Sequence, residues 1–228
     1  MSIHDGHRKR LKNRFIKEGL DGFEAHNVLE LLLFYSCPRI DTNPLAHELI
    51  KYFGSLKAVF DAPIEELMRV PGIGENAATL IKMIPAISRR YMEDKGYEEY
   101  LNTTQKAGDF ILPHFIGRTG EMAYMVCLDS KCKILSSAIL SQGGINATQI
   151  NVRKVVEAAI RSNATGVIVA HNHPGGVALP SKEDLKTTQK IQKSLESINV
   201  ILVDHIIVAD NDFVSLADSG FVNRDNLV

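Results

Sequence analysis

The stretch TGVIVAHNHPGG, residues 165–176, constrains the fold of this chain more than any other. Its small and β-branched apolar residues read as a buried strand, which Pro174-Gly175-Gly176 ends. SKEDLKTTQKIQKSLESI then reads as a helix, and VILVDHIIVAD as a further buried strand. Upstream, EMAYMVCLDSKCKILSSAILSQGG reads as a hairpin, two apolar runs around the polar turn Asp129-Ser130-Lys131. VRKVVEAAIRSNA is an amphipathic helix with Val152, Val155, Val156, Ala159 and Ile160 on one face. Strands alternating with helices imply an α/β domain, a mixed sheet with packed helices.

The front of the chain has a different pattern. FEAHNVLELLLFYSC is strongly apolar, and NPLAHELIKYFGSLKAVFDA opens on Asn43 and Pro44, both good helix-entry residues. PIEELMRVPGIGENAATLIKMIPAISRRYMED holds two apolar-periodic segments split by Pro71-Gly72-Ile73-Gly74. Residues 1–95 are therefore expected to form a small all-α domain. The charged, turn-prone EDKGYEEYLNTT is read as a linker, and residues 104–228 as the α/β domain.

His171 and His173 stand one residue apart on the first of the two buried strands. Alternate side chains of a strand share a face, so the two imidazoles project together while Asn172 points away. Asp184, at the start of the following helix, offers an oxygen. Two histidines, one carboxylate and a fourth, open position make a catalytic Zn2+ arrangement, since structural zinc sites fill all four positions with protein. Ser181-x-x-Asp184 also resembles a helix capping box, with Asp in place of Glu or Gln. Asp204 and His205 lie on the later strand and point to opposite faces. There His205 reads either as a packed, hydrogen-bonded core histidine or as a partner that orients a ligand imidazole.

Taken whole, His171-x-His173, seven residues, Ser181, two residues and Asp184 resemble the HxHx7SxxD signature of the JAMM (MPN+) metallohydrolases. HNHPGG, PSKEDL and VDHIIV are similar to the RadC branch of that superfamily, from about residue 104 to the end, and the helical front also resembles RadC. Gly175 stands where RadC relatives usually carry serine, and Val152-Arg153-Lys154 replaces the usual Pro-Arg-Glu. The resemblance implies a JAB/MPN-like fold, metal ligands His171, His173 and Asp184, and an upstream glutamate as general base. Glu121, just before the strand MAYMVCLD, is the best match, with Glu157 as its rival. Zinc so held would lower the pKa of bound water from about 15.7 toward 7. The Ser181 hydroxyl would steady the oxyanion of a tetrahedral intermediate. The reaction class is hydrolysis of a peptide or isopeptide amide in a protein or peptide substrate.

LMRVPGIGENAATLI matches a helix-hairpin-helix motif, with Gly72 and Gly74 permitting a tight turn and Ile73 plugging the helices together. Such a hairpin presents backbone N–H groups to a phosphate, and Arg8 and Arg10 of HRKRLKNRF add charge. The net charge is only −1, so any nucleic-acid contact must rest on this local patch and be weak and sequence-independent. The alternative to an enzyme is a DNA-binding or DNA-repair accessory protein whose metal site is structural or inactive. No apolar run reaches the roughly 20 residues that span a bilayer, so no membrane association is expected. Three cysteines without a CxxC pair and an N-terminus without a secretory signal fit a cytoplasmic protein.

Overall fold

The computed structural model describes residues 3–38, 40–94, 100–143 and 150–222. The chain divides into two compact units, Met1–Ser88 and Arg89–Val228. The expected linker, residues 93–104, lies in part outside the described residues.

The first unit is helical: α1 (Ile3–Glu18), α2 (Ala25–Ser36), α3 (Asn43–Phe53), α4 (Leu56–Asp61), α5 (Ile64–Leu67) and the start of α6 (Glu75–Asp94). Proline in the first turn opens α3, and Gly54, in the left-handed region at φ 85°, ends it. Ser55 then caps α4 by accepting from the Ala58 N–H. Leu29, Leu33, Leu49, Val59, Leu67 and Ile81 form the core. Between α5 and α6 the chain turns on Gly72, at φ 90°, where an added Cβ would come within 2.9 Å of Leu45 Cδ1. Ile73 is buried in that turn, and Ala77 and Ala78 let α6 approach closely.

The second unit contains α7 (Thr104–Ile111), a 3-10 turn (Leu112–Phe115), β1 (Met122–Leu128), β2 (Ile134–Gln142), α8 (Val152–Arg161), β3 (Gly166–Asn172), α9 (Lys182–Glu196), β4 (Ile201–Ala209) and β5 (Asp212–Ser215). The sheet order is β2-β1-β3-β4-β5. Only β3 and β4 are parallel, which requires the crossover that α9 provides; the other neighbours are antiparallel. The expected mixed sheet with packed helices is thus present, following a helical region. β5 is an addition to the sequence reading: four residues after the tight turn at Asp210, φ 53°, too short to show a period.

Alternation along the strands builds two cores. Ala123, Met125, Cys127, Val167 and Val169 pack with Val155 and Ala159 of α8 and Ile191 and Leu195 of α9. Met122, Tyr124, Val126, Ile168, Ala170 and Ile206 pack with Phe110 and Ile111 of α7 on the other face. The sheet is therefore sandwiched between helices, and all seven residues of β1 and of β3 are buried.

Candidate metal centre

β3 delivers both imidazoles at its exit. His171 continues the row of Val167 and Val169, the face covered by α8 and α9. His173 follows, with its own N–H donating to the Val208 carbonyl at 2.8 Å, before Gly175 bends the chain at φ 69°. That bend leads to the N-terminus of α9, where a complete capping box forms. Ser181 Oγ accepts from the Asp184 N–H at 3.1 Å, and Asp184 Oδ2 accepts from the Ser181 N–H at 2.7 Å. The capping-box reading of this segment therefore holds, and the cap keeps the Asp184 carboxylate in place.

The three side chains converge. Asp184 Oδ1 lies 3.1 Å from His171 Nε2 and Oδ2 lies 3.4 Å from His173 Nε2. The two Nε2 atoms are 3.0 Å apart. One ligand atom from each residue can be chosen so that all lie within 4.8 Å of one another, the grouping found among the described residues. His173 Nδ1 faces the Val177 carbonyl at 3.2 Å. A carbonyl only accepts, so Nδ1 carries the proton and Nε2 presents a lone pair to the cluster. Burial works to raise the Asp184 carboxyl, but its close partners His171 and Ser181 outweigh it and hold the group well below the usual carboxylate range. An ionised carboxylate and imidazole lone pairs aimed at one point repel unless a cation lies between them. The donor set fits a divalent metal of the kind imidazole and carboxylate bind.

The residues around the cluster differ in what they contribute. Asn172, between the histidines, accepts from the Met122 N–H through Oδ1 at 2.7 Å and donates through Nδ2 to the Gly120 carbonyl at 3.1 Å. It clamps the backbone on both sides of Glu121, whose own carbonyl accepts from Gly143 N at 3.0 Å. Ala123 pairs with His171 in the antiparallel register of β1 and β3. Glu121 lies two residues before Ala123, at the entry to β1. Glu157 lies elsewhere, on the exposed side of α8, where it accepts from Arg153 at 2.7 Å.

Beneath the cluster, His205 is fully buried and burial pushes it down to about 3, so it is neutral. It bonds to both His171 and Thr188, so it is a packed, hydrogen-bonded core histidine that also touches one of the clustered imidazoles. Thr188 had no sequence signal: a threonine on a polar helix resembles many others. Asp204 faces the other way and accepts from Ser215 Oγ and the Ala217 N–H, anchoring the segment after β5.

In the first unit, Gly72 and Gly74 sit exposed at the turn into α6, and Arg10 is exposed on α1. Arg8 is committed to the fold instead. Its guanidinium donates to the carbonyls of Phe34, Cys37 and Ile40 at 3.3, 2.6 and 2.6 Å and stacks over the Phe34 ring. The reason is electrostatic: the last carbonyls of α2 lack helical partners, and a cation there also meets the negative end of the helix dipole.

A family model described as a RadC-like JAB domain matches residues 101–221, the whole of the sheet and its helices. A UPF0758 protein of Fusobacterium nucleatum subsp. nucleatum is 32% identical over 229 residues, covering 96% of this chain and 98% of that protein. The similarity therefore extends beyond the domain that carries the cluster to the helical front. With the domain matched over more than half its length, this chain belongs to the RadC-like JAB-domain family.

Proposed function

We propose that this protein is a zinc-dependent hydrolase of the JAMM type, cleaving a peptide or isopeptide amide bond. The observation that carries the reading is the convergence of His171, His173 and Asp184 at the end of β3, within 4.8 Å of one another. Three protein ligands leave a fourth position for water or substrate, the arrangement of catalytic rather than structural zinc. When bound, zinc supplies Lewis acidity, lowering the pKa of water from 15.7 toward about 7.

The chain's own residues supply the rest. Glu121 takes a proton from the attacking water and later returns it to the amide nitrogen as the C–N bond breaks. Asn172 holds the backbone on both sides of Glu121, which fixes where its side chain leaves the chain. Ser181 Oγ already accepts from the Asp184 N–H, which leaves its hydroxyl proton to donate to the carbonyl oxygen as that oxygen gains charge. One such donor is worth roughly 3 kcal/mol. The test is cleavage of a peptide library, followed by mass spectrometry, with Glu121→Gln and Glu157→Gln beside the wild type. Glu121→Gln should keep its metal and lose about 10²- to 10⁴-fold in rate, while Glu157→Gln cleaves normally. Loss in Glu157→Gln alone would overturn the assignment.

A second reading accompanies the first rather than replacing it. The turn at Gly72 brings the chain into α6, and the first N–H groups of a helix have no intrahelical acceptor. That geometry favours weak phosphate binding by a helix-hairpin-helix, with Arg10 as the exposed cation. DNA contact, and a DNA-repair role, would come through it.

A further inference from the structure

The hydrogen bonds behind the cluster have only one consistent direction. Thr188 Oγ1 lies 2.6 Å from the carbonyl oxygen of Asp184, one helical turn earlier on α9. A carbonyl has no proton to give, so the hydroxyl donates there. The same Oγ1 lies 2.6 Å from His205 Nδ1, and with its single proton spent it must accept. His205 therefore carries its hydrogen on Nδ1 and presents a lone pair at Nε2. That lone pair faces His171 Nδ1 at 2.8 Å, so His171 donates from Nδ1 and is left with a lone pair at Nε2. His171 Nε2 is the atom that points at His173 and Asp184.

We infer that Thr188 and His205 are positioning residues that set the tautomer of His171, presenting its Nε2 to the metal before any metal arrives. The inference deepens the metal reading and rests on it. It explains a costly arrangement: a polar chain of Thr188, His205 and His171 inside the sheet-helix core, in which Thr188 and His205 are fully buried. Every donor and acceptor in the chain finds a partner except His171 Nε2, the atom left for the metal, which makes such a network tolerable. The chain also closes a loop. It starts at the backbone of one ligand, Asp184, and ends at the ring of another, so α9, β4 and β3 are locked in the geometry that binding requires. His173 has a separate and weaker support, the Val177 carbonyl at 3.2 Å. The two imidazoles are thus oriented independently, one from the core and one from the turn.

The experiment has two readouts, neither of them turnover. The first is the imidazole ¹⁵N spectrum of the metal-free full-length protein at pH 8, which reports the ring nitrogen that carries hydrogen. The second is zinc affinity, by competition with a chromophoric chelator, for wild type, Thr188→Ser, Thr188→Val, His205→Phe and His173→Ala. We expect wild-type His171 to be protonated at Nδ1. Thr188→Ser, which keeps the hydroxyl, should match wild type in both readouts. Thr188→Val and His205→Phe should shift His171 toward the Nε2–H form and weaken zinc about 10- to 100-fold. A wild-type spectrum with His171 protonated at Nε2 overturns the inference, and does so even if the variants fail to fold. Unchanged zinc affinity in a folded Thr188→Val overturns it as well. Equal zinc affinity in wild type and His173→Ala would instead sink the metal reading, and the ¹⁵N spectrum would still decide the tautomer.

Discussion

Asn172 shows how a single side chain links fold to chemistry. Its amide replaces strand hydrogen bonds that the Gly120–Met122 segment would otherwise lack, and its two neighbours in sequence are the candidate ligands. Asn172→Ala should cost about 1–3 kcal/mol, the penalty for leaving a buried N–H and a carbonyl without partners. Chemical denaturation of the metal-free protein measures that loss. Because the clamp flanks Glu121 rather than the ligands, zinc content should stay the same while any hydrolysis falls. A variant as stable as wild type would show that water replaces the amide without cost. Residues of this kind were poorly legible in the sequence. His171, His173 and Asp184 stand out because strand alternation and a fixed spacing give them a pattern. Asn172, Thr188 and Arg8 act through backbone groups distant in sequence, and no local pattern announces such a partner. Arg8 in particular sits in a basic run that reads as a phosphate-binding patch.

The elements follow more directly from local chemistry. The unit of β3, α9 and β4 is legible because long apolar runs with β-branched residues flank a polar, periodic helix. Its N-terminus is legible too, since Ser181 and Asp184 form the cap that the spacing suggests. β5 is not legible, because four residues carry no periodicity and their pairing with β4 is a tertiary choice. One consequence of β5 is testable. Phe213 packs against Gly108 of α7, where an added Cβ would overlap the phenyl ring. Glycine inside a helix ordinarily costs up to about 1 kcal/mol relative to alanine, so Gly108→Ala would stabilise an isolated helix. Here it should destabilise by about 1–3 kcal/mol through overpacking, read as a lower denaturation midpoint. A stabilised Gly108→Ala would mean that Phe213 moves aside freely.

At the scale of the whole molecule, the net charge of −1 limits what the helical unit can do. With Arg8 held by three carbonyls of the fold, Arg10 and the amides near Gly72 and Gly74 remain as the proposed phosphate contacts. Duplexes of unrelated sequence should therefore bind with similar, weak affinity that falls steeply as salt rises. Salt-insensitive or sequence-selective binding would point to contacts other than these. Among the described residues no helix is long and apolar enough to cross a membrane, and the three cysteines are free thiols.

The central claim is that the second unit is built around a metal, and elemental analysis tests it most directly. Full-length protein and His173→Ala, each loaded with zinc and then dialysed, are compared by mass spectrometry of the metal. The account predicts close to one zinc per chain in the wild type and a sharp drop in the variant. Equal zinc in both, or none in a folded wild type, would contradict it.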